Sequence, residues 1–166
     1  MTYSQFFYGL LTAGITAPLA AWLTAQFALR RFYAEKVWER KIAAYTEIME
    51  ALHEMRQWFD THWDAETEGR ELSEQTQSRL TENYTQAEQK LQRRVDSEKW
   101  IISNECINVL ESMQRKLHAA DDKTDWFGHL DAGTAAIRSA MRELIPVIRR
   151  DLRLELPPRK FFRRGS

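Results

Sequence analysis

The sequence predicts an all-α protein, in which one N-terminal transmembrane helix continues into a cytoplasmic antiparallel bundle of about four helices. Three observations carry this. Six Gly and four Pro in 166 residues are too few for a chain built on tight β-turns. Residues 20–68 contain neither Gly nor Pro, so nothing there breaks a helix. Beyond the first 29 residues, apolar side chains recur at alternating spacings of three and four, the helical period. Composition excludes other classes. With 43% hydrophobic and 11% aromatic residues, the chain can build a core and is not a charged disordered polymer. A single cysteine, Cys106, excludes an internal disulfide framework.

The net charge of zero conceals a division: all 24 Lys+Arg and 24 Asp+Glu lie after residue 29. Residues 6–29, FFYGLLTAGITAPLAAWLTAQFAL, would form a helix about 36 Å long, enough for a hydrocarbon core of about 30 Å. A secretory signal fits poorly, because MTYSQ carries no Lys or Arg and Arg30-Arg31 follow directly as a stop-transfer flank. A buried soluble helix of this length is the other reading set aside. Residues 30–41 hold Arg30, Arg31, Lys36, Arg40 and Lys41 against Glu35 and Glu39. Positive flanks stay inside, which places the N-terminus outside the cell inner membrane and residues 30–166 in the cytoplasm. Tyr3, Phe6, Phe7 and Tyr8, then Phe32, Tyr33 and Trp38, suit the two interfacial belts.

Gly9, Ala13, Ala17, Ala21 and Ala25 recur every four residues as a ridge on which spans pack. Thr12, Thr16 and Thr24 form a neighbouring row that could face a narrow lumen. Pro18 predicts a kink. The expected organisation is an anchor over 1–30, a helical bundle over 31–156 and a basic-aromatic tail over 157–166.

After the membrane, Trp38, Ile42, Tyr45, Met49, Leu52 and Phe59 form a heptad-like stripe, interrupted only at Arg56. Val37, Ala44, Ile48, Ala51, Met55 and Trp58 widen it, so this helix packs on two neighbours. It should end near Thr61, before an acidic turn carrying Asp60, Asp64, Glu66, Glu68, Glu71 and Glu74. A second helix follows on Leu72, Leu80, Tyr84, Ala87, Leu91 and Val95. Asp96-Ser97-Glu98 or Ser103-Asn104-Glu105 caps a third, on Ile107, Leu110, Met113 and Leu117, unless the second and third are one rod. Residues 119–125 form a loop. Thr124 or Asp125 caps the last helix, on Trp126, Leu130, Ile137, Met141, Leu144 and Ile148, with a kink at Pro146 and a stop at Pro157-Pro158. Four alternating helices return the tail Arg159, Lys160, Phe161, Phe162, Arg163 and Arg164 to the bilayer. Each cation there contributes about 1 kcal/mol at an anionic leaflet. Nucleic acid is the weaker partner for that tail.

Chemistry is sparsely encoded. No catalytic, cofactor-binding or metal-ligating set is assigned. His118, Asp121, Asp122, Asp125, His129 and Asp131 could hold a divalent ion, but their spacing matches no metal motif and helix capping explains the loop. Cys106 has no sequence-adjacent base and reads as a structural thiol. There is no phosphate loop, GxSxG or paired-Cys motif.

The juxtamembrane run Arg31-Phe32-Tyr33-Ala34-Glu35-Lys36-Val37-Trp38-Glu39-Arg40-Lys41, then Ala44-Tyr45, Ile48 and Ala51-Leu52, resembles short uncharacterised bacterial single-pass inner-membrane proteins. Ile148-Arg149-Arg150-Asp151-Leu152 is similar to their C-terminal helix. The resemblance covers about a third of the chain. It implies an accessory inner-membrane protein, of the kind found in phage-defence loci, and no enzymatic chemistry.

Together these observations predict a membrane-tethered, self-associating interaction or effector module without cofactors. Its expected partners are the lipid bilayer, further copies of itself and an unidentified protein. Span packing falls to the Gly9–Ala25 ridge, and bundle or oligomer contacts fall to Trp38, Ile42, Tyr45, Met49 and Leu52. Arg30, Arg31 and the tail contact the membrane surface. The alternatives are a gated oligomeric pore and, behind it, a metal-dependent enzyme.

Overall fold

The computed structural model describes the backbone of residues 3–123 and 125–154, with side chains for residue 22 and for 24–154 other than 124. Among the described residues there are four helices and no strand: α1 (Tyr3–Thr67), α2 (Glu74–Glu98), α3 (Asn104–Asp121) and α4 (Trp126–Asp151). The chain forms two compact units, residues 1–40 and residues 41–166.

In the first unit every described side chain is exposed, including the large apolar groups Trp22, Phe27, Leu29, Phe32, Tyr33 and Val37. Lys36 pairs with Glu39 one turn on at 2.6 Å, and its ammonium lies 5.9 Å from the Phe32 ring centre. Among the described residues no helix is long and apolar enough to cross a membrane. The side chains of residues 6–21 and of residue 23, most of the expected span, lie outside the described set.

The second unit is the bundle. Its core takes Ala44, Tyr45, Ile48, Ala51, Leu52, Met55 and Phe59 from α1, with Ala87 and Leu91 from α2. Ile107, Leu110, Met113 and Leu117 come from α3, and Leu130, Ile137, Ala140, Leu144 and Val147 from α4. Of the predicted α1 stripe, Tyr45, Leu52 and Phe59 are buried while Ile42 and Met49 are half-buried. The broader face is the better core: Ala44, Ile48 and Ala51 are fully buried. Trp38 and Val37 remain nearly half exposed. At Arg56 the side chain reaches one turn onward, its Nε 3.2 Å from the Asp60 carboxylate.

Helix ends follow local chemistry, and here the structure revises several expectations. α1 runs six residues past Thr61, because His62 and Ala65 still face the interior. It stops at Gly69, whose φ of 62° suits glycine, with Arg70 N–H donating to Ala65 O at 2.8 Å. Ser73 caps α2 by accepting from the Thr76 N–H. Of the two possible caps for α3, Ser103 is the one used, accepting from the Cys106 N–H at 3.3 Å. The second and third helices are therefore separate, joined by a corner whose Ile101 and Ile102 are buried. Asp125 caps α4. α4 stays helical through Pro146 to Asp151. Pro146 is exposed, so the carbonyl it leaves without a donor reaches water. Arg153 at φ 55° and the Leu154 N–H donating to Arg149 O then end the helix before Pro157-Pro158, which lie outside the described residues.

α1 and α4 pack closely and antiparallel. At Gly133 a Cβ would lie 2.1 Å from Phe59 Cε1, so only glycine admits that ring.

Candidate functional site

The bundle carries a half-buried polar tie at the Lys41 end. Lys41 Nζ lies 2.8 Å from one Asp151 carboxylate oxygen, and the Tyr45 hydroxyl donates to the other. The same hydroxyl accepts from the Ser103 N–H at 3.2 Å. One tyrosine thus joins α1, the cap of α3 and the end of α4. Burial, and then the hydrogen bond to Asp151, push its pKa up to about 12. Tyr45 is buried and makes its hydrogen bonds inside the bundle.

Beside this tie, an open groove of about 520 Å³ runs between α1 and α4, lined mainly by apolar atoms. Ile42, Tyr45 and Met49 form its α1 wall and Met141, Ile148 and Leu152 its α4 wall, with His53, Glu50 and Glu54 along one edge. Two more of the expected contact residues, Ile42 and Met49, therefore border a surface groove, whereas Leu52 is fully buried in the core. Met141 and Ile148 were legible as an apolar stripe. Their shared groove with α1 was not, because it depends on which helices become neighbours.

A different arrangement occupies the other end. Trp58, Phe59, His62, Tyr84, Trp126 and His129 form one ring cluster, with His129 stacked on Trp126 at 5.4 Å and 12°. Next to it a cleft of about 440 Å³ has Met55, Phe59, Leu91, Met113 and Leu117 as its floor and Tyr84, Glu88, Gln92, Gln114, His118 and Asp121 as its rim. Burial, then the charges of Glu88 and Asp121, raise the pKa of Tyr84.

The loop weighed as a metal site is drawn into local roles. His118 and His129 approach Asp121 at 3.9 Å and 3.7 Å, His129 Nδ1 also lies 3.2 Å from Ala120 O, and Asp125 is committed to its cap. Asp131 lies in another hollow with Asp60, Asp64 and Arg138. Among the described residues no three His, Cys, Asp or Glu side chains are placed to hold a metal ion. Cys106 is fully buried, and burial, assisted by the Asp151 charge, pushes its thiol up to about 12. A thiol held protonated in this way is a packing group.

Of the residues expected at the membrane, Thr24, Ala25, Arg30 and Arg31 are exposed on α1. The side chains of Gly9, Thr12, Ala13, Thr16, Ala17 and Ala21, and the whole of Arg159, Lys160, Phe161, Phe162, Arg163 and Arg164, lie outside the described residues. Comparison with protein-family models, curated proteins and solved structures finds no match for this chain.

Proposed function

We propose that this chain is a membrane-tethered, self-associating helical interaction module, inserted once in a bacterial inner membrane with its N-terminus outside and the bundle in the cytoplasm. The carrying observation is the uncharged run of residues 1–29 followed at once by Arg30 and Arg31. A charge-free segment of that length is favourable in hydrocarbon, and the cations after it oppose further translocation. Exposed Phe27, Phe32 and Tyr33 support the reading, since large apolar side chains in water are costly and at a bilayer interface are not. The bundle itself offers packing surfaces and capped helices rather than an assembled set of reacting groups, which suits binding.

Two measurements on the full chain expressed in a bacterium test this reading. The protein is expected in the membrane pellet after alkaline carbonate extraction, and a C-terminal fluorescent-protein fusion should fluoresce while an alkaline phosphatase fusion stays inactive. Release into the carbonate supernatant, or an active phosphatase fusion, would overturn the tether and its orientation respectively. Mass measurement in detergent tests self-association, and a strict monomer would remove that part. Dye release from vesicles containing the protein would redirect the reading toward a pore.

A further inference from the structure

We infer that the groove between α1 and α4 seats a second copy of this chain, so that the two copies pair face to face across it. This rests on the self-association proposed above and names the surface that performs it. On α4, Met141, Ile145, Ile148 and Leu152 follow one another at spacings of four, three and four, which puts them on one side of the helix. Ile145 is 43% exposed and Met141 and Ile148 are half-buried, so this side is only partly covered. On α1, Ile42, Met49 and His53 do the same at spacings of seven and four. Two antiparallel helices with adjoining apolar edges leave a valley whose cover must itself be apolar along its centre.

Charge selects the occupant. The α1 rim carries Glu54 and, 3.6 Å from Lys90 of its own copy, Glu50, and the α4 rim beyond Ile145 carries Arg142 and Arg149. Glu54, Arg142 and Arg149 are exposed and make no ion pair among the described residues. A surface acidic along one edge and basic along the other is complementary to itself after a two-fold rotation about an axis parallel to the groove. That operation lays each α1 over the partner's α4, acid over base. It also points both α1 helices the same way, as two chains anchored in one bilayer require.

The pairing has a definite register. Within one copy, Lys41 meets Asp151 at 2.8 Å and Asp60 meets Arg138 at 2.9 Å. Counted from the first rung Arg142 stands level with residue 50 of α1, and counted from the second with residue 56, so it lies alongside the turn that holds Glu54, and a two-fold parallel to the helices preserves level. Glu54 of each copy therefore comes within about a turn of Arg142 of the other.

The test is the dissociation constant of the full chain in detergent micelles, from sedimentation or light scattering. Glu54→Arg and Arg142→Glu should each weaken association about tenfold or more, because each sets like charges opposite one another twice per dimer. Both changes in one chain should restore it to within about threefold of wild type. Ile145→Asp, at an exposed position and with helicity checked by circular dichroism, should weaken it by about a hundredfold. A wild type that self-associates and ignores all four variants would overturn the groove and leave association through the spans standing. Single variants that weaken without rescue in the double would overturn the two-fold register. A strictly monomeric wild type would remove the self-association reading and this inference together.

Discussion

α1 presents the same kinds of side chain in two settings. Over residues 24–40 its Phe27, Leu29, Phe32, Tyr33 and Val37 are all exposed, while over residues 44–59 its Tyr45, Ile48, Leu52, Met55 and Phe59 are all buried. Apolar content and helical period are alike in the two stretches. The difference is in the neighbours: the later segment has three helices to pack on, and burial of each large side chain there stabilises by roughly 1.5–3 kcal/mol. Exposed apolar groups on the earlier segment make no such contribution in water, and their use lies with whatever covers them. A helical pattern in a sequence thus reports where cover is wanted, without saying what supplies it.

The contrast should be most visible in stability. Leu52→Ala empties a fully buried site in the core and should cost about 2–5 kcal/mol in thermal or denaturant unfolding, whereas Phe27→Ala should stay within about 0.5 kcal/mol. Equal effects from the two would show that the exposed stretch is part of the cooperative fold. Next comes Gly133→Ala, where a Cβ would meet the Phe59 ring at 2.1 Å and force α1 and α4 apart. A loss of about 1–3 kcal/mol is expected by the same measurement, with Phe59→Leu in the double variant recovering part of it.

Tyr45→Phe probes the start of the buried segment. Removing the hydroxyl strips Asp151 and the Ser103 N–H of a partner and should cost about 1–3 kcal/mol. It should also change the response to base. The folded-state pKa of Tyr45 is raised from 10.0 to about 12, so its contribution is complete below pH 10 and is lost as pH rises through 12. Unfolding of the wild type followed from pH 9 to 12 should therefore steepen, and Tyr45→Phe should remove part of that slope. Cys106 shares the sign, raised from 9.0 to about 12. Alkylation by iodoacetamide at pH 8 should be at least about a hundredfold slower in the folded chain than in denaturant. Rapid labelling of the native protein would show that the core opens at α3.

The acidic side moves the other way. Glu47 accepts from Arg94 Nε at 2.7 Å, and that hydrogen bond holds its carboxyl below the ordinary 4.5. Its contribution is present above pH 4.5 and fades as the pH falls through the lower folded value. The pair with Glu47 is partly exposed, although Arg94 also reaches the buried Glu98 at 3.2 Å, so Arg94→Met should give a modest loss that is present above about pH 4.5 and shrinks below it.

Much of the fold was readable because helix boundaries and periodicity are local. Ser103 and Asp125, each one of two caps the sequence offers, accept from N–H groups three residues on, as a short acceptor ahead of a helix does, whereas the cap at Ser73 was not singled out beforehand. The end of α1 was misplaced because Asp60 and Asp64 look like a turn, while the burial of His62 and Ala65 that prolongs the helix is a tertiary fact. Site information divided the same way. Ile42, Met49, Met141 and Ile148 were each visible as apolar positions, but neither the groove they share nor the link from Tyr45 through Asp151 to Lys41 could be read, since those partners are more than 100 residues apart.

By itself, then, the sequence determined the helical class, a short list of caps for the last two helices, the charge-free first 29 residues with the cations that follow, and which side chains are suited to burial. These depend on spacing and on groups within a turn of one another. Only the tertiary structure decided that Phe59 passes over Gly133, that Asp151 gathers Lys41 and Tyr45, and that the α1–α4 edge is left as an open groove. Each is a meeting of distant segments, and packing selects such meetings through shape and charge that no single helix contains.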